Sequence, residues 1–254
     1  MRLTINHLIY RYSGQSDFSV KIDAADHDFH QNLGIYGLSG SGKTTVGKLL
    51  ANLLTPLSGD IRLTPASPYI LYSAQQAENI FLGNTINKTL MMVAKNNQRV
   101  TDPAAQISQY LDYFKVDYNR IKKKEGYELS AGELRKFALS LAFVCKPDIL
   151  VLDEPTIGLD IKSRTALCRL LTETQRPLVL ITHDYEFLKR ICRQLWVLDK
   201  GNLVYQGNFY DLEKNRKLCR DIGVNIFFQL LKTREKLFRQ ITNSEKITRR
   251  GFEK

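Results

Sequence analysis

No run of about twenty apolar residues, the length a membrane-spanning helix requires, occurs in the 254-residue chain. The longest candidates, FALSLAFVC and DILVLD, fall well short, so the chain is not expected to cross a bilayer by itself. The opening stretch, MRLTINHLIYRYSG, lacks the apolar core and small-residue cleavage site of a secretory signal, and the expectation is a cytoplasmic location. Cysteine is scarce and unpatterned. Cys145, Cys168, Cys192 and Cys219 show neither C-x-x-C nor Cys/His ligand spacing, which argues against a disulfide framework and a zinc site and for free thiols. There is no internal repeat and no low-complexity tract. Acidic residues are in deficit, 26 against 37 Lys and Arg, a formal charge of +11. From Leu212 onward twelve Lys/Arg face five Asp/Glu, so +7 of the excess sits in the last segment and the body is only mildly basic. The charge invites a nucleic-acid partner; its location weakens that reading.

What is present fits a globular chain with one domain, or one domain and a subdomain. Short β-rich runs alternate with helical patterns: LGIYG before a glycine turn, YILYS at 69–73, DILVLDEP at 148–155, LVLITHD at 178–184 and QLWVLDKG at 194–201. Near-continuous apolar strands of this kind suit a parallel sheet covered on both faces, and an α/β fold follows. In the first thirty residues LTINHLIYRY and FSVKI alternate more and carry a turn at Ser13-Gly14, which predicts a hairpin in a small antiparallel sheet packed beside the main one. Between about 77 and 144 helical patterns take over (TINKTLMMVAKNN, PAAQISQYLDYF, GELRKFALSLAFV), as expected of a helical insertion. Near the end, NIFFQLLKTREKLFRQI places Phe227, Leu230, Leu231, Phe238 and Ile241 mostly on one face, with basic residues around the rest.

The stretch GLSGSGKTTVGKLL at 37–50 carries the sharpest chemistry. It fits G-x-x-x-x-G-K-[ST] in full, with a strand before it and a helix after it, as the phosphate-binding loop demands. By average residue usage such a string turns up in roughly one unrelated chain of this length in a hundred. In such a loop Gly37, Leu38, Ser39, Gly40, Ser41, Gly42, Lys43, Thr44 and Thr45 cradle phosphate with backbone N–H groups and a helix N-terminus. Lys43 neutralises the β- and γ-phosphates and Thr44 places its hydroxyl on Mg²⁺. The strand ILVLD then brings Asp153 to its C-terminal end as a second Mg²⁺ ligand, followed by Glu154 as candidate general base. Alone, Asp-Glu-Pro is a polar strand end; beside the glycine loop it reads as part of a nucleotide site.

LSAGELRKFALSLAF, from Leu129, resembles the L-S-G-G-Q signature of the ATP-binding cassette (ABC) ATPases. The resemblance runs over about residues 3–207 and accounts for further features in chain order. Tyr12 is similar to the aromatic that stacks on adenine. Gln75 resembles the Q-loop glutamine, which senses the γ-phosphate, contributes to the metal site and contacts the transmembrane partner. Asp160, in GLD at 158–160, resembles the D-loop aspartate, and His183 the switch histidine. The resemblance implies a P-loop NTPase core with a mainly parallel sheet, an N-terminal antiparallel β subdomain and an inserted helical subdomain. It also implies that Ser130 and Gly132 complete the site of a second subunit, sandwiching two ATP molecules in a head-to-tail dimer whose closure drives work. Departures are Ala131 for the first glycine of the pair, Glu133 for glutamine, and Ile161 where many members have proline.

QQAENIFLGNTI is similar to the Q-N-P-[DE]-x-Q-x-x-x-x-T-V stretch of the energy-coupling-factor and cobalt-type ATPases: Gln75, Glu78, Thr85 and Ile86 fit, Ala77 and Ile80 do not. The resemblance implies an ATP-hydrolysing subunit using ATP and Mg²⁺, at the cytoplasmic face of the membrane. Its partners would be a second cassette, in a homo- or heterodimer, and transmembrane subunits that import a vitamin or metal ion. The competing class is a soluble ABC ATPase acting on nucleic acid or the ribosome; such proteins usually carry a second cassette, a long coiled coil or a zinc module, and none is visible in this sequence. The expected division is an ABC domain over 1–210 with helices inserted at about 77–144, and a basic, mostly helical extension over 211–254. That extension either packs its apolar face on the cassette or its dimer mate, or lies against anionic lipid.

Overall fold

A computed structural model describes residues 1–14, 18–75 and 85–224. The chain divides into two compact units, Met1–Asn208 and Phe209–Lys254. The first unit is built on one nine-stranded sheet. In chain order its strands are β1 (Arg2–Tyr10), β2 (Val20–Asp28), β3 (Leu33–Tyr36), β4 (Ser58–Thr64), β5 (Ile70–Ser73), β6 (Ile149–Asp153), β7 (Leu178–Ile181), β8 (Gln194–Asp199) and β9 (Asn202–Asn208). Across the sheet they run β4-β1-β2-β9-β8-β3-β7-β6-β5.

The five strands at the β5 end are parallel to one another. Every residue of β3, β6 and β7 is buried, which is why their sequences read as unbroken apolar runs. The hairpin of β1 and β2 pairs in register from Arg2↔Asp28 to Tyr10↔Val20, and β4 adds to its outer edge. The expected separate small sheet is corrected here, because β9 folds back on β8 and then meets β2 in parallel, joining both parts in one sheet. The seam is narrow. Its register rests on Lys21↔Asn202, with Lys21 N–H donating to Gly201 O at 2.8 Å. The β8–β9 turn has Lys200 (φ 46°) and Gly201 (φ 82°) at its centre, the positive φ at both positions that a tight two-residue hairpin turn requires. A Cβ on Gly201 would lie 2.0 Å from Ser19 O, so only glycine lets the turn approach β2.

Helix α1 (Lys43–Leu50) follows β3 directly. Gly47 lets it lie close on the sheet, since a Cβ there would stand 2.3 Å from Ile181 Cδ1. Between β5 and β6 the described chain is helical: α2 (Ile86–Lys95), α3 (Pro103–Tyr113), α4 (Tyr118–Ile121), a 3₁₀ turn at Gly126–Glu128 and α5 (Ala131–Val144). Two further helices, α6 (Ile161–Glu173) and α7 (Tyr185–Ile191), cross over after β6 and β7. Most of these starts carry the signal the sequence offers: Thr85, Asp102, Asp117, Ser130, Asp160 and Asp184 each accept a backbone N–H at an N-cap. In the hairpin region His27 is buried, with Nε2 2.9 Å from Gln31 O and its ring edge-on to Phe29. Burial holds its pKa below the ordinary histidine value, against the weaker opposing pull of Gln31 O, Asp28 and Asp26.

In the second unit, α8 (Phe209–Lys214) leads to α9 (Arg216–Asp221), capped by Asn215, and the Cys219 thiol donates to Leu212 O at 3.1 Å. All four cysteines are unpaired; Cys145, Cys192 and Cys219 are buried and Cys168, on α6, is partly exposed. The amphipathic stretch expected from 225 onward, and positions Ala77, Glu78 and Ile80, lie outside the described residues.

Candidate functional site

The loop after β3 folds tightly for reasons readable in its glycines. A Cβ on Gly37 would lie 2.3 Å from Leu198 O and 2.4 Å from Ser41 Oγ. Gly40 and Gly42 have φ 79° and 97°. The N-terminus of α1 has no side-chain cap and no acidic residue in its first turn, leaving its amides for an anion. Ser41 Oγ is buried without a partner among the described residues. Lys43 turns back over the loop to donate from Nζ to Leu38 O at 3.0 Å. It is buried, and burial lowers its pKa, while Glu154 and Asp153 pull the other way. A compact bed of donors with a buried ammonium above it suits a polyphosphate.

Beside this loop stands the end of β6. Asp153 Oδ2 accepts from Thr44 Oγ1 at 2.7 Å and from the Tyr72 hydroxyl at 2.5 Å. Asp153 Oδ1 is buried with no partner among the described residues. A hard cation such as Mg²⁺ takes oxygen ligands of this kind, and an orphaned carboxylate oxygen next to a threonine hydroxyl fits it. Among the described residues no cluster of three or more His, Cys, Asp or Glu offers another metal site. The Tyr72 phenol is pushed above its ordinary pKa, first by burial and then by donating to Asp153.

Glu154 follows with φ 46°, a left-handed conformation that few side chains adopt without cost. The turn aims its carboxylate at the end of β7. Oε2 accepts from Thr182 Oγ1 at 2.7 Å, while Oε1 accepts from His183 N–H at 3.1 Å and lies 2.8 Å from His183 Nδ1. Glu154 is buried and the His183 side chain is 58% exposed. A carboxylate held in place with a solvent-facing imidazole beside it can take a proton from water and pass it outward.

The structure thus brings Lys43, Thr44, Asp153, Glu154 and His183 together. Tyr12 reaches the same loop from the end of β1, its hydroxyl 3.3 Å from Thr45 Oγ1 and its ring edge-on to Tyr10. Gln75 is exposed just past β5. Ser130 and Asp160 have other neighbours. Ser130 caps α5 and forms a reciprocal capping box with Glu133, and Glu133 is ion-paired to Arg120. Asp160 caps α6 and stands 3.8 Å from Lys136 of α5. A Cβ on Gly132 would meet only Gly158 O, at 3.7 Å, so the start of α5 and the residues before α6 form one exposed corner. Sequence reasoning missed Tyr72, Thr182 and Arg135. Arg135 alone left a trace, a charged residue on an apolar helical face.

Residues 25–157 match the ABC transporter family. The chain is 30% identical to the energy-coupling factor transporter ATP-binding protein EcfA2 of Thermotoga maritima, over 68% of this chain and 69% of that one. It is 27% identical to the protein of the same name from Clostridioides difficile, over 94% and 91%. Among solved structures it resembles an ATP-binding subunit of an ABC transporter, with TM-score 0.73, 20% identity and coverage of 91% and 99%. It also resembles cbiO1 of Clostridium perfringens, part of the cbiONQ complex, with TM-score 0.68, 21% identity and coverage of 91% and 98%. The last two establish the fold, and the family match together with the relative at 30% identity establishes membership: the chain belongs to the ABC transporter family, as one of its ATP-binding cassettes.

Proposed function

We propose that this protein is the ATP-hydrolysing subunit of a membrane importer of the energy-coupling-factor type, carrying a vitamin or a metal ion. The observation that carries the catalytic part is the juxtaposition at the end of β6: Asp153 with one free buried oxygen against Thr44, and Glu154 held by Thr182 and His183. Lys43, Ser41 and the α1 amides bind and orient the triphosphate, and Tyr12 is placed to flank the base. Thr44, Asp153 and Gln75 would hold Mg²⁺, which when bound neutralises charge on the phosphates. Glu154 takes the proton from the attacking water, and His183 keeps that carboxylate in place. Ser130, Gly132 and Asp160, gathered at one exposed corner, serve the site of a second cassette, in a homo- or heterodimer.

The importer part rests on the relatives, named as energy-coupling factor transporter proteins. Among the described residues no helix is long and apolar enough to cross a membrane, which suits a subunit docked on the cytoplasmic face beneath separate transmembrane partners. The test is affinity purification of the tagged protein from mildly solubilised membranes, with partner chains identified by mass spectrometry. A polytopic membrane protein in stoichiometric amount is expected, and a second cassette beside it makes the dimer heteromeric. Recovery with ribosomes or nucleic acid and no membrane protein overturns the importer reading.

A further inference from the structure

Arg135 is the one arginine in the buried core among the described residues, 3% exposed. It lies one turn into α5, and its acceptors are carbonyls rather than carboxylates. Nη1 donates to Ala74 O at 2.8 Å and Gln75 O at 3.0 Å; Nη2 donates to Asp153 O at 3.3 Å and Glu154 O at 2.9 Å. Those carbonyls lie at the end of β6 and just past the ends of β5 and β6, two adjacent parallel strands. The β5–β6 ladder ends at Ser73↔Leu152; beyond it no ladder joins these two backbones, and the 153–154 side stays paired only to β7, through Asp153↔Ile181 and Glu154 N–H donating to Ile181 O. One planar fork takes over where the ladder stops, spanning both chains in a way the point charge of lysine cannot. Burying a guanidinium is costly unless it is compensated. Burial lowers its pKa, and the nearby Asp153 and Glu154 carboxylates offset part of that effect.

The two chains so joined are the ones that carry Gln75 and the Asp153, Glu154 pair. We propose that Arg135 is a positioning residue for ATP hydrolysis: its guanidinium clamps the backbone at 74–75 to the backbone at 153–154 and thereby sets the spacing between Gln75 and the two carboxylates. It makes no hydrogen bond to the phosphate loop, so its contribution is to geometry at the reacting end and not to nucleotide affinity. The inference rests on the reading of Glu154 as general base given above.

The test compares Arg135→Lys and Arg135→Met with the unaltered protein by hydrogen–deuterium exchange, equilibrium binding of a fluorescent ATP analogue, and steady-state ATPase. Exchange is expected to quicken in peptides covering 72–75 and 153–157, with peptides covering 37–46 and 20–28 unchanged. Turnover is expected to fall about 10- to 100-fold in Arg135→Met, the scale of a small misplacement of catalytic groups, with analogue affinity within about twofold. Arg135→Lys, which can hold one pair of carbonyls, is expected to fall in between. Exchange that is unchanged, or faster everywhere together with weaker binding, overturns the clamp. Should the unaltered protein bind ATP without turning it over, the reading of Glu154 fails, and the local exchange contrast still decides whether Arg135 joins the two strand ends.

Discussion

Glu154 combines an unfavourable backbone conformation with a full set of donors: φ is 46°, yet Thr182, the His183 amide and the His183 ring all meet its carboxylate. Glutamine in its place keeps the shape and can still accept from Thr182 or the His183 amide, but it has no basicity. Glu154→Gln is therefore expected to lower steady-state ATPase by at least about a hundredfold, the lower range for a lost general base, with nucleotide binding retained. Unchanged turnover would remove Glu154 from the role. A second residue-scale outcome concerns stability. Burial lowers the pKa of His27 in the fold, whereas in the unfolded chain it titrates near 6.5. Below that pH the unfolded state binds more protons, so stability declines as pH falls from 6.5 toward the lowered folded value. His27→Gln should flatten the fall in melting temperature as the pH drops below about 6.5; an equally steep decline in the variant would point to other groups. Lys43, Thr44, Asp153, Glu154 and His183 are legible in the sequence because their motifs encode a mechanism. Tyr72 and Thr182 are not, since each looks like an ordinary strand residue until the parallel register sets Tyr72 on the strand beside Asp153 and carries Thr182 to Glu154.

At the scale of elements, the strands buried on both faces announce themselves as apolar runs, and β3, β6 and β7 fall where that pattern puts them. The strands that went unread, β4 and β9, are SGDIRLT and NLVYQGN. Their alternation is broken by polar residues and glycine, and their place depends on partners far along the chain. The pairing of β2 with β9 joins residues about 180 positions apart, which no local pattern can encode. Gly201 makes that join possible, and its replacement offers a controlled comparison. At Gly201→Ala a methyl would overlap Ser19 O in a left-handed conformation, with an expected cost of at least about 2 kcal/mol. At Gly14→Ala, φ is similar at 81° but nothing among the described residues lies within 4 Å, so the cost should be about 1 kcal/mol. Equal shifts of the two in denaturant midpoint would mean that the close approach of the turn to β2 carries no weight.

For the molecule as a whole, the proposed role of the corner near Ser130, Gly132 and Gly158 in a second cassette's site can be tested apart from its role in capping α5. The Glu154→Gln protein with Mg²⁺ and ATP is expected to shift from monomer to dimer in light scattering, and Gly132→Asp added to it should abolish the shift. Because a Cβ at 132 meets nothing closer than 3.7 Å, the aspartate variant should keep its melting temperature, so that loss of the dimer reports on the surface and not on folding. A dimer that survives Gly132→Asp would place the second subunit elsewhere.

The distribution of thiols carries a practical consequence. Three of the four cysteines are buried, and burial raises the thiol pKa of Cys145 to about 11, that of Cys192 further, and that of Cys219 in the same direction. Thiolate is the species that reacts, so a maleimide dye offered at neutral pH has one ready target in the native chain, Cys168. That residue lies on α6, whose first turn is capped by Asp160. The unmodified protein thus comes with a single attachment point for a fluorophore, on the helix that begins at the shared corner, from which the approach of a second cassette can be followed by energy transfer without engineering a cysteine-free background.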